Sequence, residues 1–260
     1  MNRFIFNKKY PSLSKLLISI VNFFRKLWFF IIFRNKNIYY KYQLSRPLGP
    51  RNTICYAPFT SLFFGTNGSI VACCLNRNVI FGKHPENSIS QALNSDNIKK
   101  LRKHLKNNNL DYGCFHCKQR IESNSFDSVE AKLYDSLPLS KSKMPTYFIF
   151  ELSNTCNLNC IMCNPEFSSS FKTNEQVQSN YKSPYGKEFV EELREYIPHL
   201  VKAKFMGGEP FLINIYYDIW ELIIETNPNC IIDIQTNGTV LNDKIKSLLE
   251  RGNFKVSVSF

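Results

Sequence analysis

Three cysteines within eight residues constrain this chain more than any other feature. Cys156, Cys160 and Cys163 are separated by three and then two residues. The preceding run, residues 147–152, is largely apolar and predicts a β-strand, so the cysteines follow the carboxyl end of a strand. α/β folds place much of their chemistry on such loops. Three thiolates predict a metal or iron–sulfur site with one open position, because a closed site needs four ligands.

A zinc site built on two of these cysteines is the alternative interpretation. It would need further ligands, but His199, the nearest histidine along the chain, lies beyond a polar loop at 165–185. The sequence has four histidines, and none pairs with a serine or cysteine at a spacing typical of hydrolytic catalysis. We therefore favour an iron–sulfur cluster over zinc at the triplet.

The number of cysteines and the net charge limit the functional classes to which this protein can belong. The sequence has nine cysteines, an odd number in short spacings, and shows no cleavable secretory signal. This pattern predicts ligation of a metal or cluster in a reducing cytoplasm rather than a disulfide framework. We assign no role to Cys74 and expect Cys230 in the core. The net charge is +12, but the basic residues are scattered and no common nucleic-acid motif occurs, so we expect no nucleic-acid partner.

Residues 1–46 predict an N-terminal helical segment with one apolar face. Polar residues recur at helical spacing, and large apolar side chains such as Phe23 and Phe24 fill the opposite face. The longest charge-free apolar run, residues 27–33, is too short to span a bilayer. We expect this helix to pack on its own protein or on a partner. Peripheral membrane contact through residues 12–33 is the alternative.

Residues 47–125 predict a small α+β unit with cysteines of its own. Two apolar runs, 56–64 and 69–73, flank a Gly-Thr-Asn-Gly turn at 65–68, which is typical of a β-hairpin. The unit closes on a Cys-x-x-Cys pair at 114–117.

Two further segments complete this first half of the chain. Apolar residues spaced through 88–107 predict a helix, with Ser88 or Ser95 as its cap. Residues 126–145 are polar and contain two prolines, so we interpret them as a linker.

From residue 146 the sequence alternates between predicted strands and helices. Such a β-α repeat predicts an α/β fold with a parallel sheet, in a barrel or a doubly wound layer. The predicted strands are 147–152, 200–205, 231–235 and 255–259. The predicted helices are 187–196, 212–225 and 242–250. The polar loop at 165–185 is a candidate substrate-facing segment.

The sequence stops inside a pattern typical of the interior of a strand, Val-Ser-Val-Ser-Phe at 256–260. A parallel sheet that ended there would leave a strand edge uncovered. We therefore expect either a truncated chain or another segment that covers this edge.

The triplet resembles the radical SAM superfamily, whose signature is C-x-x-x-C-x-x-C on the loop after the first barrel strand. Three further features of residues 146–260 occur in the family's order: Gly-Gly-Glu-Pro after the second predicted strand, Thr-Asn-Gly after the third, and serines on the fourth. In the family these regions contact the amino and carboxylate groups of S-adenosyl-L-methionine (SAM). The residues that the resemblance implies for SAM binding are Met162, Gly207, Gly208, Glu209, Pro210, Thr236, Asn237, Ser257 and Ser259.

The resemblance implies a specific chemistry for the triplet. Cys156, Cys160 and Cys163 would hold a [4Fe–4S] cluster whose fourth iron binds SAM. The implied enzyme cleaves SAM reductively to a 5′-deoxyadenosyl radical, which abstracts hydrogen from a peptide or small-molecule substrate, with a reductant such as flavodoxin or ferredoxin. The family usually has an aromatic residue before the third cysteine. Met162 stands there instead, and a flexible apolar side chain could still cover the adenine.

The fold implied by the resemblance is a partial (β/α)6 barrel. The family core has six β/α units, and the pattern from residue 146 to residue 260 supplies about four of them. Such a fragment alone could be inactive. The alternative function is therefore a non-catalytic iron–sulfur protein that binds clusters or carries electrons.

The earlier cysteines resemble the ligands of SPASM and twitch domains, which bind an auxiliary [4Fe–4S] cluster. Cys55 and Cys73 flank the predicted hairpin and its Gly68, and Cys114 and Cys117 follow after a gap. The resemblance implies an auxiliary-cluster domain placed before the barrel. Structural zinc is the alternative, because the same four thiolates could bind it.

Overall fold

A computed structural model of the protein describes residues 19–27, 38–140, 142, 144–170 and 182–259. Parts of the predicted segments 1–46, 12–33 and 165–185 lie outside these residues, as does Phe260. The described strands are β1 (Ser61–Phe64), β2 (Ser69–Val71), β3 (Gly82–Lys83), β4 (Tyr147–Phe150), β5 (Lys202–Phe205), β6 (Ile231–Thr236) and β7 (Phe254–Val258).

The helices lie between and before these strands. Residues 19–27 are also helical. The named α-helices are α1 (Ile38–Ser45), α2 (Ala57–Thr60), α3 (Ile89–Asn94), α4 (Asp96–Lys106), α5 (Phe115–Glu122), α6 (Lys187–Leu193), α7 (Asn214–Thr226) and α8 (Asp243–Arg251). Short 3-10 helices occur at Phe126–Ser128, Glu130–Tyr134, Ile197–His199 and Pro210–Leu212.

The chain forms two compact units. The first comprises Met1–Cys55 and His104–Ser136, and the second comprises Tyr56–Lys103 and Leu137–Phe260. The domain boundaries expected from the sequence, at 46, 125 and 145, stay predictions.

The second unit is built on a seven-stranded sheet with the order β3-β2-β1-β4-β5-β6-β7. β4, β5, β6 and β7 pair in parallel in sequence order, with α6, α7 and α8 in the connections between them. This arrangement confirms the predicted α/β class and its parallel sheet, and it is consistent with a partial radical SAM barrel. Each of these four strands begins and ends within about two residues of its predicted position.

The predicted hairpin forms and joins the same sheet. β1 and β2 pair antiparallel across the Gly65–Gly68 turn, in which Gly68 has a φ of +85°. β1 also pairs in parallel with β4, with Ser61 opposite Tyr147. The hairpin therefore covers the edge of β4 that would otherwise expose unpaired backbone groups.

Two predicted elements are wrong in detail. Residues 57–60, predicted as part of a strand over 56–64, form α2, because Pro58 fits the first turn of a helix but cannot donate to a sheet ladder. The single helix predicted over 88–107 is two helices, α3 and α4, divided at Ser95. Both predicted caps are used: Ser88 forms a capping box with Gln91, and Ser95 Oγ accepts the amide of Ile98 at 3.4 Å.

The core of the second unit lies on the helix-covered face of the sheet. Alternate residues of β1, β4 and β5 point to this face, and their phenylalanines pack edge to face or stacked with centroids 4.9–5.9 Å apart. The members of this cluster are Phe64, Phe148, Phe150 and Phe205, all fully buried. Burial of each such side chain contributes about 1.5–3 kcal/mol to folding, so this face anchors the strand ends that carry the site.

The first unit is held by a buried ion pair. Arg46 bonds both carboxylate oxygens of Asp135, with Nε–Oδ2 at 2.9 Å and Nη2–Oδ1 at 2.5 Å, and both side chains are buried. Its Nη1 donates to Gln43 Oε1 and to the Thr53 carbonyl. Residues 126–135, predicted as linker, thus include 3-10 turns and an anchoring carboxylate. Removing one partner of such a pair leaves a buried charge unpaired, which lowers the free energy of unfolding by about 3–5 kcal/mol.

The helix at residues 19–27 exposes its apolar side chains. Phe23 and Phe24 are 63% and 61% exposed, while the polar Asn22 lies next to Gly49. The expectation that this apolar face packs on its own protein is therefore wrong for the described residues; packing on a partner and membrane contact stay predictions. Among the described residues no helix is both long enough and apolar enough to cross a membrane.

Candidate functional site

Two glycines bring the loop after β5 against the segment that leads into the cysteines. Gly207 and Gly208 have φ values of +85° and +39°, a region that favours glycine. A Cβ on Gly208 would lie 2.1 Å from the Thr155 carbonyl oxygen. That same oxygen accepts the amide of Glu209 at 2.7 Å. No side chain larger than hydrogen fits here, so the glycines permit a direct backbone contact one residue before Cys156.

Glu209 is fully buried, and its carboxylate accepts three hydrogen bonds from this chain. Oε1 accepts the Phe211 amide at 3.1 Å and the Thr236 hydroxyl at 2.7 Å. Oε2 accepts the Asn237 amide at 2.7 Å. A buried carboxylate requires such donors to offset the loss of hydration. Glu209 therefore fastens the loop after β5 to the end of β6, and its contact with the SAM amino group stays a prediction.

Asn237 extends this network to the cysteine loop. Its Nδ2 donates to Asn157 Oδ1 at 2.9 Å and faces Cys156 Sγ at 3.9 Å. Asn157 Nδ2 in turn donates to Thr239 Oγ1 at 2.8 Å. Three of the predicted motifs, namely the first cysteine, the Gly-Gly-Glu loop and the Thr-Asn-Gly turn, are thus brought together at the carboxyl ends of β4, β5 and β6.

The cysteine loop is anchored from Cys156 to Leu158, whose carbonyl accepts from Ser168 Oγ at 2.8 Å, and is exposed at residues 159–162. The Cys156 amide donates to Ser169 Oγ at 3.1 Å, and the Cys156 carbonyl accepts from Ser170 Oγ at 2.6 Å. Cys160 is exposed and Cys163 is half-buried. Met162 is 87% exposed, so this loop offers its sulfur atoms and an apolar side chain to a ligand without unfolding. Sequence reasoning missed the serines, whose only signal was a run of three after the cysteines at 168–170.

An ion pair lies beside this edge on the face of the sheet away from the helices. Arg77 Nη1 and Nη2 donate to the two oxygens of Glu151, the residue after β4, at 2.8 and 3.0 Å. The guanidinium also lies over the rings of Phe63 and Phe167, 4.8 and 5.4 Å from their centroids. Burial opposes the charge of Arg77, but the hydrogen bond and attraction of Glu151 raise its pKa overall. Sequence reasoning also missed this pair, because its members are far apart along the chain.

The remaining residues predicted to bind SAM lie at the same edge. Pro210 begins the 3-10 turn after Glu209 and is buried. Ser257 is opposite Gln235 in the β6–β7 register. The amide of Ser259 donates to the Thr236 carbonyl at 2.9 Å, and its hydroxyl accepts from Gln235 Nε2 at 2.7 Å.

Three of the four earlier cysteines belong to the first unit. Cys114 caps α5 and Cys117 lies in its first turn, while Cys55 is buried. Burial raises the pKa of the Cys117 thiol overall, although hydrogen bonds from the backbone amides of Ala131 and Glu130 to the sulfur oppose this shift. Amide groups directed at a sulfur suit a thiolate ligand.

Tyr42 lies near two of these thiols. Burial raises the pKa of its hydroxyl, Arg46 lowers it, and the charges of Cys55 and Cys117 raise it further. The fourth predicted ligand, Cys73, belongs to the second unit. The four-cysteine ligand set stays a prediction.

The donor chemistry fits an iron–sulfur cluster at the triplet. All nine cysteines are free thiols, and the triplet loop is accessible. No three His, Cys, Asp or Glu side chains among the described residues are close enough together to hold a single metal ion. A cluster makes a different demand, because each thiolate binds a separate iron. Of the cysteines without an assigned role, Cys230 is in the core, as predicted, where burial raises its pKa to about 12.

Two family models match the chain. Residues 150–260 match the radical SAM superfamily, and this range contains the cysteine triplet and every residue predicted to bind SAM. Residues 55–118 match an iron-sulfur cluster-binding domain of the SPASM type, and this range contains the four earlier cysteines. Radical SAM domains use SAM and a [4Fe–4S] cluster, and SPASM domains carry auxiliary iron–sulfur clusters.

Several curated proteins are similar to part of the chain. An uncharacterised protein of Methanocaldococcus jannaschii is 32% identical over 44% of this chain and 37% of its own length. A GTP 3′,8-cyclase of Limosilactobacillus fermentum is 30% identical over 49% of this chain and 36% of its own. The FeMo cofactor biosynthesis protein NifB of Klebsiella pneumoniae is 34% identical over 40% of this chain and 23% of its own. The chain thus spans about a third of the length of the first of these relatives. No solved structure matches it significantly.

Proposed function

We propose that this chain, which carries a radical SAM domain at 150–260 and an iron–sulfur cluster-binding domain at 55–118, is the SAM-cleaving part of a radical SAM enzyme. The observation that carries the proposal is the network joining Cys156, Asn237 and Glu209. It connects the cysteine loop to both motifs predicted to bind SAM, through contacts on three neighbouring strands.

Each residue of the site has a proposed task. Cys156, Cys160 and Cys163 would hold the cluster, and the bound cluster and SAM supply a 5′-deoxyadenosyl radical that abstracts hydrogen from the substrate. Gly207 and Gly208 keep the loop after β5 against the cysteine loop. Asn237 directs an N–H group toward Cys156 Sγ, and such groups tune the potential of iron–sulfur clusters.

The substrate and the reductant are proposed at the level of class. The substrate is a peptide or a small molecule, and the electron comes from a carrier such as flavodoxin or ferredoxin. The second domain would bind an auxiliary cluster. Relatives named for GTP cyclisation and for FeMo cofactor biosynthesis support a place in cofactor biosynthesis.

The test is SAM cleavage by the chain after anaerobic reconstitution with iron and sulfide. With dithionite and SAM, the proposal predicts 5′-deoxyadenosine, measured by chromatography. The Cys160→Ala variant should form none, because the cluster loses one of its three ligands. Cys230→Ala is the matched control, since its thiol is in the core. Absence of product from the wild-type chain, or equal product from Cys160→Ala, would contradict the proposal.

Metal analysis of the same preparation separates the proposed alternatives. Two [4Fe–4S] clusters require about eight irons per chain, whereas structural zinc in the earlier domain gives about four irons and one zinc. Full iron content without any 5′-deoxyadenosine would favour a non-catalytic iron–sulfur protein that carries electrons.

A second proposal concerns location. The exposed apolar side chains of residues 19–27, next to Arg25 and Lys26, favour contact with an anionic membrane surface. The protein would then be cytoplasmic and membrane-associated.

A further inference from the structure

The sheet face opposite the helices is polar along β5, β6 and β7. In β5, Lys202 and Lys204 alternate with the buried Ala203 and Phe205. The same alternation places Asp233 and Gln235 of β6, and Lys255 and Ser257 of β7, on this face. Parallel strands covered on both faces by apolar layers are apolar throughout, so this alternation indicates a face that contacts water or a polar ligand.

Positive charge exceeds negative charge on this face. Lys202 Nζ pairs with Asp233 Oδ2 at 2.5 Å. Lys204 and Lys255 are both in register with Asp233, on either side of it. Neither Lys204 nor Lys255 forms a salt bridge to another described residue, so this group has three lysines and one carboxylate, which pairs with Lys202.

Lys204 is the central residue of this group. It is half-buried, and its strand neighbours across the sheet are Ile149 on one side and Asp233 on the other. An ammonium group loses hydration when it is partly buried, and an anion within reach offsets that loss. The Arg77–Glu151 pair on the same face is already neutral and cannot provide it.

This group lies beside the proposed SAM site. Lys204 lies two residues before Met206 and three before Gly207. It is therefore about 7–10 Å along the strand from the loop after β5. Ser257, two residues after Lys255, belongs to the residues predicted to contact SAM. A ligand bound at Lys204 would therefore have its reactive part near the cysteine loop.

We propose that Lys204 and Lys255 bind an acid group, a phosphate or carboxylate, of the substrate. The inference rests on the proposed function, because it places the substrate on the same sheet as the SAM-binding residues. Asp233 pairs with the neighbouring Lys202, so that pair carries no net charge and the charges of Lys204 and Lys255 remain to attract an anion. The acid group fixes the substrate by charge-assisted hydrogen bonds, so the substrate class is an organic phosphate or organic acid.

SAM also has a carboxylate, and this group is the alternative ligand of Lys204 and Lys255. Ser257 and Ser259 are predicted to contact that carboxylate, and Lys255 lies on the same strand. A test must therefore measure the binding of an added anion and the binding of SAM separately.

The test uses the reconstituted chain and inorganic phosphate as the probe, titrated by calorimetry with and without SAM. Lys204→Gln should weaken phosphate binding about tenfold, because one charged donor is lost. Lys204→Arg should retain binding within about threefold, since it keeps the charge. The affinity for SAM should change less than twofold in both variants.

Lys103→Gln, an exposed lysine on α4, is the matched control and should bind phosphate as the wild type does. Equal phosphate binding by Lys204→Gln and the wild type, or equal losses in Lys204→Gln and Lys103→Gln, would overturn the inference. Loss of SAM affinity in Lys204→Gln without a change in phosphate affinity would assign the lysine to SAM and also overturn it. Failure of the wild-type chain to bind SAM would refute the proposed function instead, whatever the phosphate result.

Discussion

At the scale of single residues, Glu209 decides whether three strand ends stay together. The two carboxylate oxygens of Glu209 accept hydrogen bonds from the Phe211 amide, the Thr236 hydroxyl and the Asn237 amide. Because the side chain is fully buried, water cannot replace a lost partner. Both terminal atoms of this side chain must therefore accept hydrogen bonds. An N–H group at either position would face a buried backbone N–H group, and both donors would lack an acceptor.

Glu209→Gln tests this requirement. The amide NH₂ of glutamine would face a backbone N–H group in either orientation, so we expect the free energy of unfolding to fall by about 1–3 kcal/mol. Urea denaturation followed by circular dichroism measures the change.

The exposed Glu250→Gln on α8 is the control and should change stability by less than about 0.5 kcal/mol. A Glu209→Gln variant as stable as the wild type would show that these hydrogen bonds do not hold the site together.

The sequence identified Glu209 and Asn237, but not what they contact. The motif resemblance implies contacts of both residues with SAM, and these contacts stay predictions; the structure adds the bonds of Glu209 to Thr236 and Asn237 and the approach of Asn237 to Cys156. The Arg77–Glu151 pair was not predicted either, because 74 residues separate its members. Such contacts depend on which strands become neighbours, and local pattern does not contain that information.

At the scale of elements, the parallel strands were predictable because short segments rich in β-branched and aromatic residues alternate with helical patterns and turn residues. The order of the sheet was not. The hairpin β1–β2 was predicted as part of a separate unit, yet β1 pairs with β4. Strand pairing is non-local, and a hairpin with apolar residues on both faces fits the edge of a parallel sheet. The polar alternation of β5 to β7 was visible in the sequence but was not interpreted.

The helix at residues 19–27 gives the prediction that belongs to this scale. Phe23 and Phe24 contribute the largest exposed apolar surface of the segment. Phe23→Ser/Phe24→Ser should reduce co-sedimentation with anionic liposomes at least fivefold, since burial of each ring in the interface contributes about 1.5–3 kcal/mol.

Leu133→Ser/Leu139→Ser is the matched control, because these leucines are also exposed, at 65% and 58%, but lie outside the segment. It should bind liposomes as the wild type does. Equal binding by the phenylalanine variant and the wild type would reject membrane contact through this helix and leave a protein partner as the remaining prediction.

At the scale of the whole molecule, residues 150–260 match the radical SAM superfamily model and residues 55–118, before them in the chain, match the iron-sulfur cluster-binding model. It covers 37% or less of the relatives described above, so its activity belongs to the proposals. The cysteine loop, the loop after β5 and the end of β6 are nevertheless joined by hydrogen bonds within the second unit. The central claim is therefore that this unit can bind SAM at a cluster held by Cys156, Cys160 and Cys163.

Electron paramagnetic resonance of the reduced, reconstituted chain tests this claim most directly. The account predicts a [4Fe–4S] signal whose g values shift when SAM is added, because SAM binds the iron that no cysteine ligates. Replacing Cys156, Cys160 and Cys163 together by alanine should abolish this shift while leaving any auxiliary-cluster signal. A wild-type signal that SAM does not alter, or a shift that survives in the triple variant, would contradict the account.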